Sequence, residues 1–202
     1  SRTRRAVPLG SAELWGVGKG DVVIAAMYAL RRGLARGGVA WRTRPCETQA
    51  MNRTYDERSD PGRYHAKRPG IYAVILARSG LLLTVQHDPK PEYQLPGGGV
   101  EANAHPIPAL HREVLEATGF TISAPRRIGM FHRYVYMPDY DRHAHKQCSV
   151  YLAQAGRRIG PPSEAGHVAI ILPWAEAVQR LAVEGDRVLA TRIAQLLGVW
   201  PK

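Results

Sequence analysis

Glu113 and Glu116 stand three residues apart in the run Pro108 to Thr118, directly after Arg112. On a helix such positions are separated by about 60° and share one face. Two carboxylates placed there, with no lysine between them, repel each other by roughly 0.2–0.5 kcal/mol. A hard divalent cation reverses that penalty, because Mg2+ takes carboxylate oxygens and keeps positions open for phosphate. Arg112 can orient one of the carboxylates by bidentate contact. Upstream, Gly97, Gly98 and Gly99 let the backbone come close to a metal or a ligand, having no Cβ to obstruct it. Residue types and spacing thus point to metal-assisted chemistry on phosphates.

A helix is needed to hold these groups. Pro108 suits a first helical turn and Gly119 suits the position just past the end, so the spacing predicts a helix over 108–118. Ile107, Leu110 and Val114 fall on another side of it and form a core-facing stripe. Before the glycines, Gly70–Ala77 is a nearly continuous apolar run, as expected of a strand buried on both faces. Arg78-Ser79-Gly80 turns it back into a second strand at Leu81–Gln86. Tyr93–Leu95 reads as a short strand. After the helix, Thr121–Ile122, Gly129–Met137, Gln147–Ala153 and His167–Leu172 read as strands, and Trp174–Leu181 and Val188–Leu197 as helices. Strands mixed with helices in this order indicate an α/β layered domain.

The segment from Leu95 to Phe120, LPGGGVEANAHPIPALHREVLEATGF, resembles the Nudix family. The family's signature, G-x5-E-x7-R-E-U-x-E-E-x-G-U with U a bulky apolar residue, starts at Gly98 with its spacing intact. Arg112, Glu113, Val114, Glu116, Gly119 and Phe120 match, whereas Ala104 and Ala117 stand where glutamates belong. Glu164-Ala165-Gly166-His167 and Leu172-Pro173-Trp174 are similar to the acidic loop and following helix of many members.

The resemblance implies an α/β/α sandwich with a mixed sheet, and Mg2+- or Mn2+-dependent hydrolysis of a nucleoside diphosphate linked to another moiety. Carried over residue by residue, Glu113, Glu116 and the Gly97 carbonyl become metal ligands. Arg112 becomes the orienting catalytic residue. Glu164 becomes the loop carboxylate that serves some members as ligand or general base. A glutamate at 117 would sit about 40° from Glu113 on the helix and complete a three-carboxylate cluster, so its absence weakens the site unless another carboxylate substitutes. Glu164 is the expected substitute. The alternative is a catalytically weakened Nudix-like module that binds nucleotides or regulates a partner. The implied partner is a nucleotide-type small molecule; nucleic acid is optional, a homodimer is compatible, and no membrane partner is implied.

Other constellations have plainer readings. Tyr134 and Tyr136 alternate with His132 on one strand face; they are candidates for stacking on a nucleobase, although packing alone would also place them. His143, His145 and Cys148 form an H-x-H-x-x-C array that reads as an ordinary turn, since no paired-cysteine motif supports zinc. Lys146 and Arg133 read as solvated surface, and His105 and His111 as exposed side chains. Phosphate-loop, dinucleotide-binding, nucleophile-elbow and C-x-x-C patterns are all absent from the sequence.

Composition agrees with this picture and narrows it little. The 202 residues are 45% hydrophobic and 22% charged, with a net charge of +11 that would attract phosphates of any kind. Two cysteines are too few for a disulfide framework, so a cytoplasmic location is expected. No apolar run approaches the roughly 18 residues of a membrane span. Residues 1–50 carry nine Lys/Arg against three acidic residues. They read as a basic N-terminal extension outside the functional protein, with Met51 a natural start, although a targeting peptide or docking arm has similar composition. Residues 51–68 read as an irregular lead-in and 69–202 as the Nudix-like domain.

Overall fold

The computed structural model describes residues 54–56, 64–87, 90–101, 103–137 and 141–197. The basic extension and the start at Met51 lie outside the described residues. Among the described residues, eight strands and three helices follow one another: β1 (Thr54–Asp56), β2 (Ala66–Ala77), β3 (Gly80–Gln86), β4 (Glu92–Gln94), β5 (Gly97–Gly99), α1 (Pro106–Thr118), β6 (Phe120–Met137), β7 (Arg142–Arg158), β8 (His167–Leu172), α2 (Trp174–Arg180) and α3 (Glu184–Leu196).

The strands form one mixed sheet in the order β1-β6-β7-β2-β3-β4, with β5 paired to β2 and β8 to β3. The β1/β6 and β2/β7 pairs are parallel, and the others antiparallel. Helices cover both faces, which is why the strands between them read as unbroken apolar runs. On one face, alternate residues Ile71, Ala73 and Ile75 of β2 pack with Leu110 and Val114 of α1, with Ile107 partly buried against them. Full burial of a leucine or valine side chain contributes roughly 1.5–3 kcal/mol, so this stripe anchors α1 to the sheet. On the other face lies Phe131, whose ring meets Gly185 of α3 so closely that a Cβ there would collide with it.

Several elements run beyond their sequence signals. β2 begins at Ala66, because Lys67 and Arg68 pair through their backbones with His145 and Lys146 of β7, a bond that needs no apolar side chain. The lead-in expected to be irregular contains β1, held in parallel register on β6 at Thr54 and His132. β6 joins two predicted strands across Pro125 by register shifts between Phe120 and Gly129. Such bulges tolerate a residue that has no N–H to donate. α1 ends as expected at Gly119, at φ 73, whose N–H donates to the Leu115 carbonyl at 2.7 Å. Among the described residues, no helix is long and apolar enough to cross a membrane.

Candidate functional site

α1 brings its carboxylates to the edge of β5, the glycine strand. Glu113 is 7% exposed, because the backbone at Gly98 lies directly over it. A Cβ on Gly98 would overlap the Glu113 carboxylate, so this position is glycine for contact, not for backbone freedom. Gly97, one residue earlier, is at φ +146 and pairs with Tyr72 of β2, where any side chain would strike the Ile71 carbonyl. The glycine strand, paired to β2, therefore lets the Glu113 carboxylate and the β2 backbone both approach it closely.

Arg112 supplies the balancing charge. Its guanidinium lies 2.7 Å from Glu113 Oε1 and 4.0 Å from Glu116 Oε1. Burial pushes the Glu113 carboxyl above its usual range; Arg112 opposes the rise, and the charges of Glu116 and Glu164 add to it. A half-neutralised acid crowded by two others gains from any further cation that all three can share.

Glu164 arrives from the loop between β7 and β8. That loop docks on the end of α1: Ser163 N–H donates to the Glu116 carbonyl at 2.9 Å, and Glu164 N–H approaches the same oxygen at 3.4 Å. Ile159 N–H donates to the Gly119 carbonyl at 2.8 Å, fixing the start of the loop. Carbonyls in the last turn of a helix lack intrahelical partners, so the loop meets a need of the helix while placing its own carboxylate. One oxygen each from Glu113, Glu116 and Glu164 lies within 4.8 Å of the others. Ala117, 1% exposed on the same helix, has no oxygen to add to this group.

Three hard oxygen donors, one nearly buried, make a donor set that suits Mg2+ or Mn2+ and suits soft metals poorly. The set fits the cation implied by the resemblance. Glu164 thus joins Glu113 and Glu116 in one cluster, with Arg112 against it and Gly97 in the adjoining strand.

A cavity of about 380 Å3 opens beside the glycine strand, lined by Arg68, Tyr72, Gly99, Val100, Glu101, Met137 and Lys146 among others. It lies on the sheet face away from α1, since Tyr72 and Lys146 alternate with the α1-facing residues of β2 and β7. Burial holds the Lys146 ammonium below its usual pKa, and Arg133 adds to that, while Cys148 and Asp186 counter it. The Tyr72 phenol is driven well above its usual range, first by burial and then by Cys148, Asp186 and Glu113, against Arg133. Sequence reasoning passed over Tyr72, Arg68 and the half-buried setting of Lys146. Strand alternation was the available signal, and the polar end of β2 hid it.

Tyr134 and Tyr136 occupy the other face. Tyr134 pairs across the strands with His145 and Tyr136 with His143, so both alternate with Lys146. Tyr134 stacks on His145 with centroids 4.6 Å apart, and His65 meets its edge at 4.9 Å. The Tyr136 hydroxyl donates to Asp141 Oδ1 at 2.6 Å. The structure does not bring either tyrosine to the cavity. The same alternation splits the H-x-H-x-x-C array, leaving Cys148 buried on the face opposite His143 and His145. His145 Nε2 instead lies 2.9 Å from His132 Nδ1.

Comparisons with known proteins agree with this architecture. A family model for the NUDIX domain matches residues 66–192. A protein of Bacillus subtilis (strain 168) with the provisional name 8-oxo-dGTP diphosphatase is 33% identical over 64 residues, which is 32% of this chain and 43% of that protein. The match thus spans less than half of that relative's length. Among solved structures, a NUDIX hydrolase from Nitrosomonas europaea superposes with a TM-score of 0.53 at 16% identity, covering 67% of this chain and 97% of the other. The MutT protein of Methanosarcina mazei Go1 does so with a TM-score of 0.52 at 17% identity, covering 65% and 96%. At such identities the structural likeness establishes the fold.

Proposed function

The chain belongs to the Nudix family, and from that premise we propose that it is a divalent-metal-dependent pyrophosphohydrolase of nucleoside diphosphates linked to another moiety. The observation that carries the reading is the convergence of Glu113, Glu116 and Glu164 on one group of oxygens. Mg2+ or Mn2+, when bound, would lower the pKa of an attacking water and neutralise charge on the diphosphate. Glu113 and Glu116 would hold it from the helix, the Gly97 carbonyl would be a further ligand from the strand, and Arg112 would keep Glu113 in place. Glu164, the most exposed carboxylate of the three, would complete the ligand set from the loop.

The cavity beside the glycine strand would take the nucleoside. Tyr72, Val100 and Met137 offer aromatic and apolar surface, while Arg68 and Lys146 offer positive charge to phosphate oxygens. Ala117 favours a second reading, a weakened module that binds nucleotides without turnover. The test is product release from a panel including 8-oxo-dGTP, the ordinary nucleoside triphosphates, ADP-ribose, dinucleotide cofactors and diadenosine polyphosphates, with Mg2+, Mn2+ or EDTA. Metal-dependent turnover of at least one compound is expected. Calorimetric nucleotide binding with no turnover anywhere would replace the enzyme with the binding module.

A further inference from the structure

We propose that His167 is a positioning residue that holds the Glu164 carboxylate in the three-glutamate group. The inference rests on the metal-site reading above. The helix glutamates are fixed from several sides: Glu113 lies under Gly98 and against Arg112, and Glu116 stands on a packed helix. Glu164 has no such frame. Its side chain is 42% exposed and rises from a loop, so fixing it costs rotamer freedom that a helix or buried wall would already have removed.

His167 supplies the missing constraint. It is the first residue of β8 and is paired with Gln86 of β3, so its Cα is held by the sheet. The loop closes on it tightly. The His167 N–H donates to the Glu164 carbonyl at 3.3 Å, and His87 N–H donates to the Gly166 carbonyl at 3.2 Å. Gly166 makes the required turn at φ 76.

From this fixed base, His167 Nδ1 lies 3.2 Å from Glu164 Oε2, with the imidazole only 22% exposed. The Nδ1 atom itself is withdrawn from solvent, and the carboxylate approaches it off the line of an aligned hydrogen bond. The contact is therefore a close polar one, and an Nδ1–H directed at Oε2 would make it an N–H···O bond. Held at Oε2, Glu164 has a second oxygen to offer the group it shares with Glu113 and Glu116. A histidine that fixes a ligating carboxylate plays the part that outer partners commonly play around metal sites, where losing one weakens affinity about 10–100-fold.

The experiment is a titration of Mn2+ into the full chain, followed by the electron paramagnetic resonance of free Mn2+. His167→Ala is expected to weaken binding about tenfold, and His167→Asn, which keeps a donor near the Nδ1 position, to restore most of it. In a Glu164→Ala background, His167→Ala should change the affinity no further. An unchanged affinity in His167→Ala would overturn the proposal. So would an equal loss with and without Glu164, since that is the result of a merely structural role. Absence of Mn2+ binding by the unmodified chain would remove the metal-site reading itself, and this inference with it.

Discussion

Gly98 shows how much a single missing Cβ decides. The carboxylate of Glu113 occupies the space where that atom would be. Gly98→Ala must therefore displace either the strand or the glutamate. Overpacking of this kind costs about 1–3 kcal/mol, which a thermal denaturation would read. The larger effect falls on the site, where Mn2+ affinity should drop by about tenfold or more, on the scale of disturbed metal ligands. Near-normal affinity in Gly98→Ala would show that Glu113 does not need its place under the strand. The types and spacing of Arg112, Glu113 and Glu116 were legible in the sequence, because helical periodicity alone puts them together. Burial of Glu113 was not, because it depends on β5, a strand of three glycines with no side-chain pattern to announce it. His167 escaped for a similar reason: only the closed loop brings it back to Glu164.

Among the elements, the β6/β7 hairpin departs furthest from its sequence signal. Gln147–Ala153 read as a strand, yet β7 spans Arg142–Arg158. Its polar end carries no apolar alternation and is held by backbone pairing to both neighbours. On that end, His145 stacks on Tyr134 and faces His132, Lys67 and His65. Burial, and then those three groups, depress its pKa. A base with a depressed folded pKa is neutral in both states at high pH and contributes no difference there. As pH falls below the unfolded value near 6.5, the unfolded chain gains a proton that the folded one resists, so stability declines. Thermal midpoints should therefore fall between pH 7 and pH 5, and His145→Asn should flatten that slope. A slope as steep in the variant as in the parent would place the titration elsewhere.

At the scale of the whole molecule, two layers of helix on one mixed sheet follow from patterns visible in the chain: apolar runs in β2 and β3, and the stripe Ile107, Leu110, Val114 on α1. Strand order does not follow from such patterns, since β5 and β8 pair with strands distant in sequence. The site depends on that order. The sheet brings β8 and its preceding loop against α1, and only then does Glu164 reach the two helix glutamates while position 117 stays buried. Activity in this chain is thus a question about a carboxylate supplied by a loop. Crystals of the full chain soaked in Mn2+, with data collected for anomalous scattering, would test this most directly. The account predicts a peak within coordination distance of Glu113, Glu116 and Glu164 together. A peak bound elsewhere, or one at the helix glutamates with Glu164 turned away, would contradict it.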